Sequence, residues 1–224
     1  MRKATGRRTI SRRQFLVAGG TVSGSLVLGL PLTNIAHAGI ADGTFGERQI
    51  GYFVEITPSG KVIIGSNQPE IGQGLRTALP MMVAEELDVA WENVSIRQMP
   101  LGILKTADGY TWKYGGQGVG GSTGLTGNWE FMRGVGATAR HQLIRAAADR
   151  LGVSPEACRT RSGVVVCDAS NGEIPYADLI EDAARLDMPE EAPPLKARRE
   201  YRIIGTHRNT IDAKDIVTGR SKFG

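Results

Sequence analysis

Metal-ligating side chains are scarce in this chain of 224 residues, which has two cysteines and three histidines. Past residue 38 only Cys158, Cys167, His141 and His207 remain, at no spacing typical of zinc, which argues against a metal site. Long apolar runs are missing as well: after residue 38 no stretch of about 18 apolar residues could cross a bilayer. No Lys-Ser or Lys-Thr follows the glycine-rich segments, which excludes a P-loop. Neither an internal repeat nor a low-complexity tract is present.

Acid is absent from residues 1–38, which carry six basic side chains: Arg2, Lys3, Arg7, Arg8, Arg12 and Arg13. Ser11–Leu16 (SRRQFL) leads into a glycine-rich apolar run, Leu16–Leu30, too short for a span of about 20 residues. Ala36-His37-Ala38 then provides a small-x-small cleavage site. The layout predicts a twin-arginine export signal over residues 1–38, a periplasmic location and the twin-arginine translocase as a transient partner. Six of the 27 basic residues fall in this leader, leaving 21 against 23 acids and a net charge near −2. The basic balance therefore belongs to the leader and gives no support for a nucleic-acid partner. Twin-arginine transport carries folded proteins, so a cofactor loaded before export is expected.

Residues 51–67 read as two strands around a Pro-Ser-Gly turn, the second alternating apolar and polar positions. A helix follows with Leu75, Leu79, Met82, Val83 and Leu87 along one stripe, and Pro80 early enough to be tolerated. Asn93–Met99 is a further strand, and residues 100–123 read as a long glycine-rich loop of functional character. From Thr126 to Leu151 a long helix is predicted, whose small residues let another backbone approach closely. Tyr176–Leu186 is a short helix behind Pro175, and Met188–Ala197 a Pro- and Glu-containing linker before a terminal segment with a strand pattern.

Cys158–Cys167 reads as a tight hairpin. A two-residue Ser162-Gly163 turn pairs Arg161 with Val164, Thr160 with Val165 and Arg159 with Val166, setting Cys158 opposite Cys167. That is a non-hydrogen-bonded pair with Cα atoms about 4.5 Å apart, within the range of a disulfide. The bond should form in an oxidising compartment, the alternative being two buried thiols.

Two glycine-rich stretches stand before helices: Gly72-Gln73-Gly74, and Gly115–Gly124 (GGQGVGGSTG). The second contains G-x-G-x-x-G from Gly116 to Gly121, but its preceding strand is doubtful and no suitable acid follows about 20 residues on. A surface loop is the plain alternative. The reading that joins both stretches is a cofactor site. Unpaired amides at a helix front bind phosphate or a polar heterocycle, Gln73 offers a donor and an acceptor to a ring edge, and Ser122 and Thr123 add hydroxyls.

Glu70–Trp91, Gly120–Arg140 and Tyr201–Gly224 together resemble the molybdenum-cofactor-binding large subunit of the xanthine dehydrogenase and aldehyde oxidase family. The nearest branch is of the isoquinoline 1-oxidoreductase type, and the likeness covers nearly all of residues 40–224. The resemblance implies an α+β fold: a mixed sheet with packed helices in the N-terminal part of a molybdopterin-binding domain at residues 39–197, then a truncated start of a hammerhead domain at residues 198–224. It implies that Gly72, Gln73, Gly74, Gly121, Ser122, Thr123 and Gly124 line a site for molybdopterin cytosine dinucleotide carrying molybdenum. Gly124 stands where the family usually has a second hydroxyl, while Trp129, Arg133 and Arg140 match family positions with roles in packing and ion pairing.

The implied activity is a molybdenum-dependent oxidoreductase that hydroxylates an aldehyde or an N-heterocycle. Its implied partners are a [2Fe-2S] small subunit, a cytochrome c subunit and a small-molecule substrate. The family's catalytic glutamate lies near the far C-terminus of longer subunits, and neither Glu85, Glu86 nor Glu92 matches its motif, so no catalytic residue is assigned. Glu85 and Glu86 read as a solvated or ion-paired helix face. The chain is expected to be an N-terminal fragment, inactive alone. The alternative is a non-catalytic periplasmic binding or interaction module that keeps the fold.

Overall fold

The computed structural model describes residues 26–28, 53–107, 109–112, 114, 116–168, 172–189 and 191–222. The paired arginines and the Ala36-His37-Ala38 site of the leader lie outside the described residues.

The fold is α+β. A mixed four-stranded sheet runs in the order β1 (Leu26–Leu28), β2 (Val54–Ile56), β3 (Val62–Ser66), β4 (Val94–Gln98). The first three strands are antiparallel; β3 and β4 are parallel, in register from Val62 with Val94 to Ser66 with Gln98. The β2–β3 turn is the Pro-Ser-Gly turn read from the sequence, with Gly60 at φ 77°. A parallel pair needs a crossover, and helix α1 (Leu75–Leu87) supplies it. Its stripe of Leu75, Leu79, Met82, Val83 and Leu87 is buried, and the helix runs through Pro80. Residues 26–28 belong to the apolar run read as leader, yet they pair along the β2 edge.

The long helix begins later than the sequence suggests. A short turn, α2 (Thr123–Thr126), is separated by Gly127 and Asn128 from α3 (Trp129–Leu151). The break has a physical cause: the Asn128 side chain donates to the Gly124 carbonyl at 2.8 Å, closing the first turn on itself. Helix α3 crosses α1 at Gly136, where an added Cβ would lie 2.4 Å from the Val83 carbonyl oxygen and 2.8 Å from Glu86 Cβ. Phe53 of the sheet layer meets Phe131 of α3 edge-on, with centroids 5.2 Å apart.

The stretch read as a loop from 100 to 123 contains a hairpin, β5 (Ile103–Thr106) with β6 (Gly109–Trp112). A third sheet orders β7 (Cys158–Arg161), β8 (Val164–Cys167) and β9 (Gly172–Pro175). The β7–β8 register is the predicted one, and the turn residues Ser162 and Gly163 both take positive φ, 49° and 89°. Cys158 and Cys167 are joined in a disulfide with Cα atoms 4.0 Å apart. Closing a loop of about ten residues restricts the unfolded chain, so reduction should cost about 2.5 kcal/mol. Thermal unfolding with and without reductant checks this; coincident melting curves would contradict it.

The terminal segment forms no strand among the described residues. A turn at Arg198–Glu200 and a short helix α5 (Ala213–Val217) replace the expected pattern, while Tyr176–Leu179 and α4 (Ile180–Arg185) form the short helix behind Pro175. The amides that a strand would pair belong to Arg202, Ile203 and Ile204, and all three donate to the Glu85 carboxylate at 2.7–3.1 Å. Among its described residues the expected linker is likewise tied down at Pro194 and Lys196. Arg140 donates to the Pro194 carbonyl, Arg133 to the Lys196 carbonyl, and the Lys196 amide to Glu86.

Of the two readings of Glu85 and Glu86, solvated or ion-paired, the second holds: both are buried, ion-paired hubs. Glu86 is fully buried and accepts from Arg133 at 2.6 and 2.8 Å, from Arg140 at 3.3 Å and from the Lys196 amide at 3.0 Å. Arg133 also stacks between Trp129 and Tyr201, at 5.3 and 5.2 Å from the ring centroids. A buried charge with this many donors is compensated; one stripped of them would not be. No helix among the described residues is long and apolar enough to cross a membrane.

Candidate functional site

Both glycine-rich turns sit at the C-terminal end of β3. After Ser66 the chain runs through Asn67 and Gln68 into Gly72-Gln73-Gly74 and α1. The second turn, Gly121–Gly124, lies against the start of α1: a Cβ built on Gly124 would be 2.5 Å from Leu75 Cδ1. That contact brings the two turns side by side, with Gly72, Gln73, Gly121, Ser122 and Thr123 exposed and Gly74 and Gly124 half-buried.

The front of α1 differs from the expectation of bare amides. Glu70 folds back over it: Oε1 accepts from the Gly72 and Gly74 amides at 2.8 and 2.9 Å, and Oε2 from the Arg76 amide at 2.9 Å. A carboxylate supplied by the chain thus occupies the anion position at this helix end. Gly72 and Gly74 take φ of 100° and 83°, so glycine is needed to turn both amides inward. Partial burial alone would raise the Glu70 pKa, but the amides of Arg76, Gly74, Gly72 and Gln73 hold it below 4.5. A group with a depressed folded pKa contributes stability that is complete above its ordinary value of 4.5 and lost as pH falls through the folded value. Hydrogen-exchange protection of the Gly72, Gly74 and Arg76 amides, relative to their intrinsic rates at the same pH, is therefore expected to fall as pH drops through the folded value, which lies below 4.5; protection unchanged in acid would contradict the cap.

Gln73 is partly engaged by its own loop. Oε1 accepts from the Ile71 amide at 2.6 Å, and Nε2 donates to the Pro69 carbonyl at 2.9 Å. One N–H and one lone pair stay available to a neutral ring edge. At the second turn Ser122 is left-handed, with φ 59°, and makes no capping bond, whereas the Thr123 hydroxyl donates to the Gly120 carbonyl at 3.1 Å. Gly124 is a packing residue: the space its side chain would fill belongs to Leu75, and its carbonyl holds Asn128. The missing second hydroxyl is explained by that contact. A ligand on this face therefore meets a neutral amide at Gln73 and a polar turn at Gly121–Thr123, and no free helix front at α1.

Sequence reasoning missed the floor between the turns. Ser66, Asn67 and Gln68 are buried, at 0%, 1% and 5% exposure, with Asn128 beside them at 7%. Gln68 Nε2 donates to the Gly116 carbonyl at 3.1 Å, and Asn67 Nδ2 reaches Asn128 Oδ1 at 3.5 Å. Three consecutive polar residues directly after the apolar Val62–Ile64 run were the available signal.

The family model of the molybdopterin cofactor-binding domain matches residues 27–218. Among curated proteins, the chain is 32% identical over 191 residues to the beta subunit of isoquinoline 1-oxidoreductase from Brevundimonas diminuta, covering 85% of this chain and 24% of that one. It is 33% identical over 182 residues to the B subunit of nicotinate dehydrogenase from Pseudomonas putida, covering 80% and 14%. A membrane-bound aldehyde dehydrogenase (pyrroloquinoline-quinone) of Gluconacetobacter polyoxogenes is 27% identical over 174 residues, covering 75% and 21%. The chain thus spans a quarter or less of the length of these curated relatives. Quinoline 2-oxidoreductase from Pseudomonas putida 86 aligns with a TM-score of 0.44 at 22% identity, over 62% of this chain and 17% of that one; likeness at this level carries no argument about the site. The chain belongs to the molybdopterin cofactor-binding domain family.

Proposed function

We propose that this chain is the N-terminal part of the large subunit of a periplasmic molybdenum hydroxylase, and that its exposed glycine turns hold part of a molybdopterin cytosine dinucleotide. The observation that carries the reading is the junction of Gln73 and Gly121–Thr123 on one face, set by the packing of Gly124 against Leu75. Gln73 would take a polar ring edge. Ser122 and the peptide groups of Gly121 to Thr123 would take the polar or phosphorylated part. When bound, the molybdenum group supplies the oxidation of a C–H bond of an aldehyde or N-heterocycle. The relatives' names, which include isoquinoline, nicotinate and aldehyde oxidising enzymes, support that substrate range.

The relatives are named as subunits, which supports a multi-subunit assembly; its electron acceptors in this reading are a [2Fe-2S] subunit and a cytochrome c subunit. The β5–β6 hairpin presents Ile103, Leu104, Tyr110 and Trp112 to solvent, an apolar surface of the kind a neighbouring part of an assembly covers. The paired arginines of the leader support periplasmic export, and the Cys158–Cys167 bond suits an oxidising compartment. The test is to purify the exported subunit and assay molybdenum, cytidine nucleotide and iron–sulfur content. Stoichiometric molybdenum and nucleotide are expected. A folded subunit containing neither would leave only a non-catalytic module.

A further inference from the structure

Residues 26–28 lie inside the apolar run of the leader, yet they form the outer strand of the four-stranded sheet. Antiparallel pairing sets Leu26 opposite Ile56, Val27 opposite Glu55 and Leu28 opposite Val54. The bonds on the other side of β2 fix which of these pairs exchange hydrogen bonds. There the Phe53 carbonyl accepts from the Gly65 amide and the Thr57 amide donates to the Lys61 carbonyl, both at 2.9 Å. Backbone groups alternate in direction along a strand, so Phe53, Glu55 and Thr57 face β3, while Val54 and Ile56 face β1. Leu26–Ile56 and Leu28–Val54 are therefore the hydrogen-bonded pairs, and Val27–Glu55 is the non-hydrogen-bonded one. Without residues 26–28 the amides and carbonyls of Val54 and Ile56 would form an open sheet edge, a template for another strand.

The leader's own sequence suits this position. Gly19, Gly20, Gly24 and Gly29 interrupt the run from Leu16 to Leu30, and each weakens a helix there. Gly24 and Gly29 bracket a segment of the length of a short edge strand. β1 also runs beside α4, so the segment is seated against two elements of the folded domain.

We propose that the β2 edge is a strand-acceptor site that holds leader residues Leu26–Leu28 on the folded domain until export strips them away. The inference rests on the export-leader reading and is independent of the cofactor. While β1 is paired, the apolar run is anchored to the domain it must carry across the membrane. The translocase has to peel off this strand before it can take the run. Three residues with two hydrogen-bonded pairs make a clasp short enough to release. Cleavage after Ala38 then leaves β2 as an edge.

The test is hydrogen exchange on the whole unprocessed chain, read as protection at the Val54 and Ile56 amides. The Glu55 amide, which faces β3, serves as the internal reference. Leu28→Pro deletes the amide paired with Val54 and is expected to lower protection at Val54 and Ile56 about tenfold or more, the equivalent of one hydrogen bond. Glu55 should be unchanged. The chain processed after Ala38 should show the same loss. Protection at Val54 and Ile56 that survives Leu28→Pro, or survives removal of the leader, overturns the proposal. Val27→Cys with Glu55→Cys gives a second measurement, because Cα atoms of a non-hydrogen-bonded pair stand about 4.5 Å apart, within disulfide reach. Oxidation is expected to close this pair in the folded, unprocessed chain. A pair that stays open overturns the docking, and this readout decides the matter if Leu28→Pro disturbs the whole sheet and Glu55 loses protection too. The N-terminus of the exported protein decides the leader reading separately: a chain beginning at Gly39 supports it, a retained leader contradicts it, and neither result moves the exchange data.

Discussion

Glu86→Leu is expected to destabilise the protein by roughly 3 to 5 kcal/mol, the range for stripping one partner from a buried ion pair. The Glu86 side chain is fully buried, and that of Arg133 is 9% exposed. Without the carboxylate, the Arg133 guanidinium retains the Lys196 carbonyl and two aromatic faces but no counter-charge. The Lys196 amide loses both of its acceptor contacts. For a chain of this size the loss corresponds to a fall in melting temperature of about 6 to 20 °C. Adding Arg133→Met should recover part of it, since an apolar pair in place of a buried ion pair is often tolerated. A Glu86→Leu melting temperature equal to that of the parent would mean that Arg133 and the Lys196 amide are not held as described.

The second large effect is at Gly136. Gly136→Val is expected to cost about 3 kcal/mol or more, the upper end of overpacking, because the first atom it meets is backbone. The Val83 carbonyl oxygen would be 2.4 Å from the new Cβ and Val83 Cα 3.1 Å away, so no rotamer change relieves the overlap. Valine recovers little from helix propensity over glycine. Gly124→Ala forms the contrast. Its Cβ would meet the end of a leucine side chain, Leu75 Cδ1 at 2.5 Å, which can rotate away, so its effect on melting should be much smaller. Equal effects at the two positions would argue against the close crossing of α1 and α3.

Much of this fold is local chemistry and was readable as such. The Ser162-Gly163 turn demands two positive φ values, which fixes the β7–β8 register and brings Cys158 to Cys167. The apolar stripe of α1 and the turn at Gly60 were readable in the same way. What could not be read depends on partners distant in sequence. Nothing near Glu85 or Glu86 shows that Arg202–Ile204 and Lys196 will return, 110 or more residues later, to bury both carboxylates. The expected terminal strand failed for the same reason, because Glu85 takes its amides.

The site was half legible. Motif and spacing singled out both glycine turns, which the structure joins through Gly124 and Leu75, and the small residues of the long helix were legible as a place of close approach. The role of Glu70 was not. An acid two and four residues ahead of left-handed glycines can cap the helix those glycines open, and the motif then excludes the external anion that bare amides would invite. Ser66, Asn67 and Gln68 escaped notice because periodicity finds apolar faces and has no term for a buried polar row.

The central claim is that the Gln73 turn and the Gly121–Thr123 turn line one binding face for a phosphorylated, molybdenum-bearing pterin. Ser122→Asp tests it most directly. Ser122 is exposed and makes no capping bond, and aspartate tolerates the left-handed backbone there, so folding should be untouched. A carboxylate beside the phosphorylated part of the ligand should repel it. Molybdenum and cytidine nucleotide retained on purification should then fall about tenfold or more at unchanged melting temperature. Full retention of both in a folded Ser122→Asp protein would place the cofactor elsewhere and contradict the account.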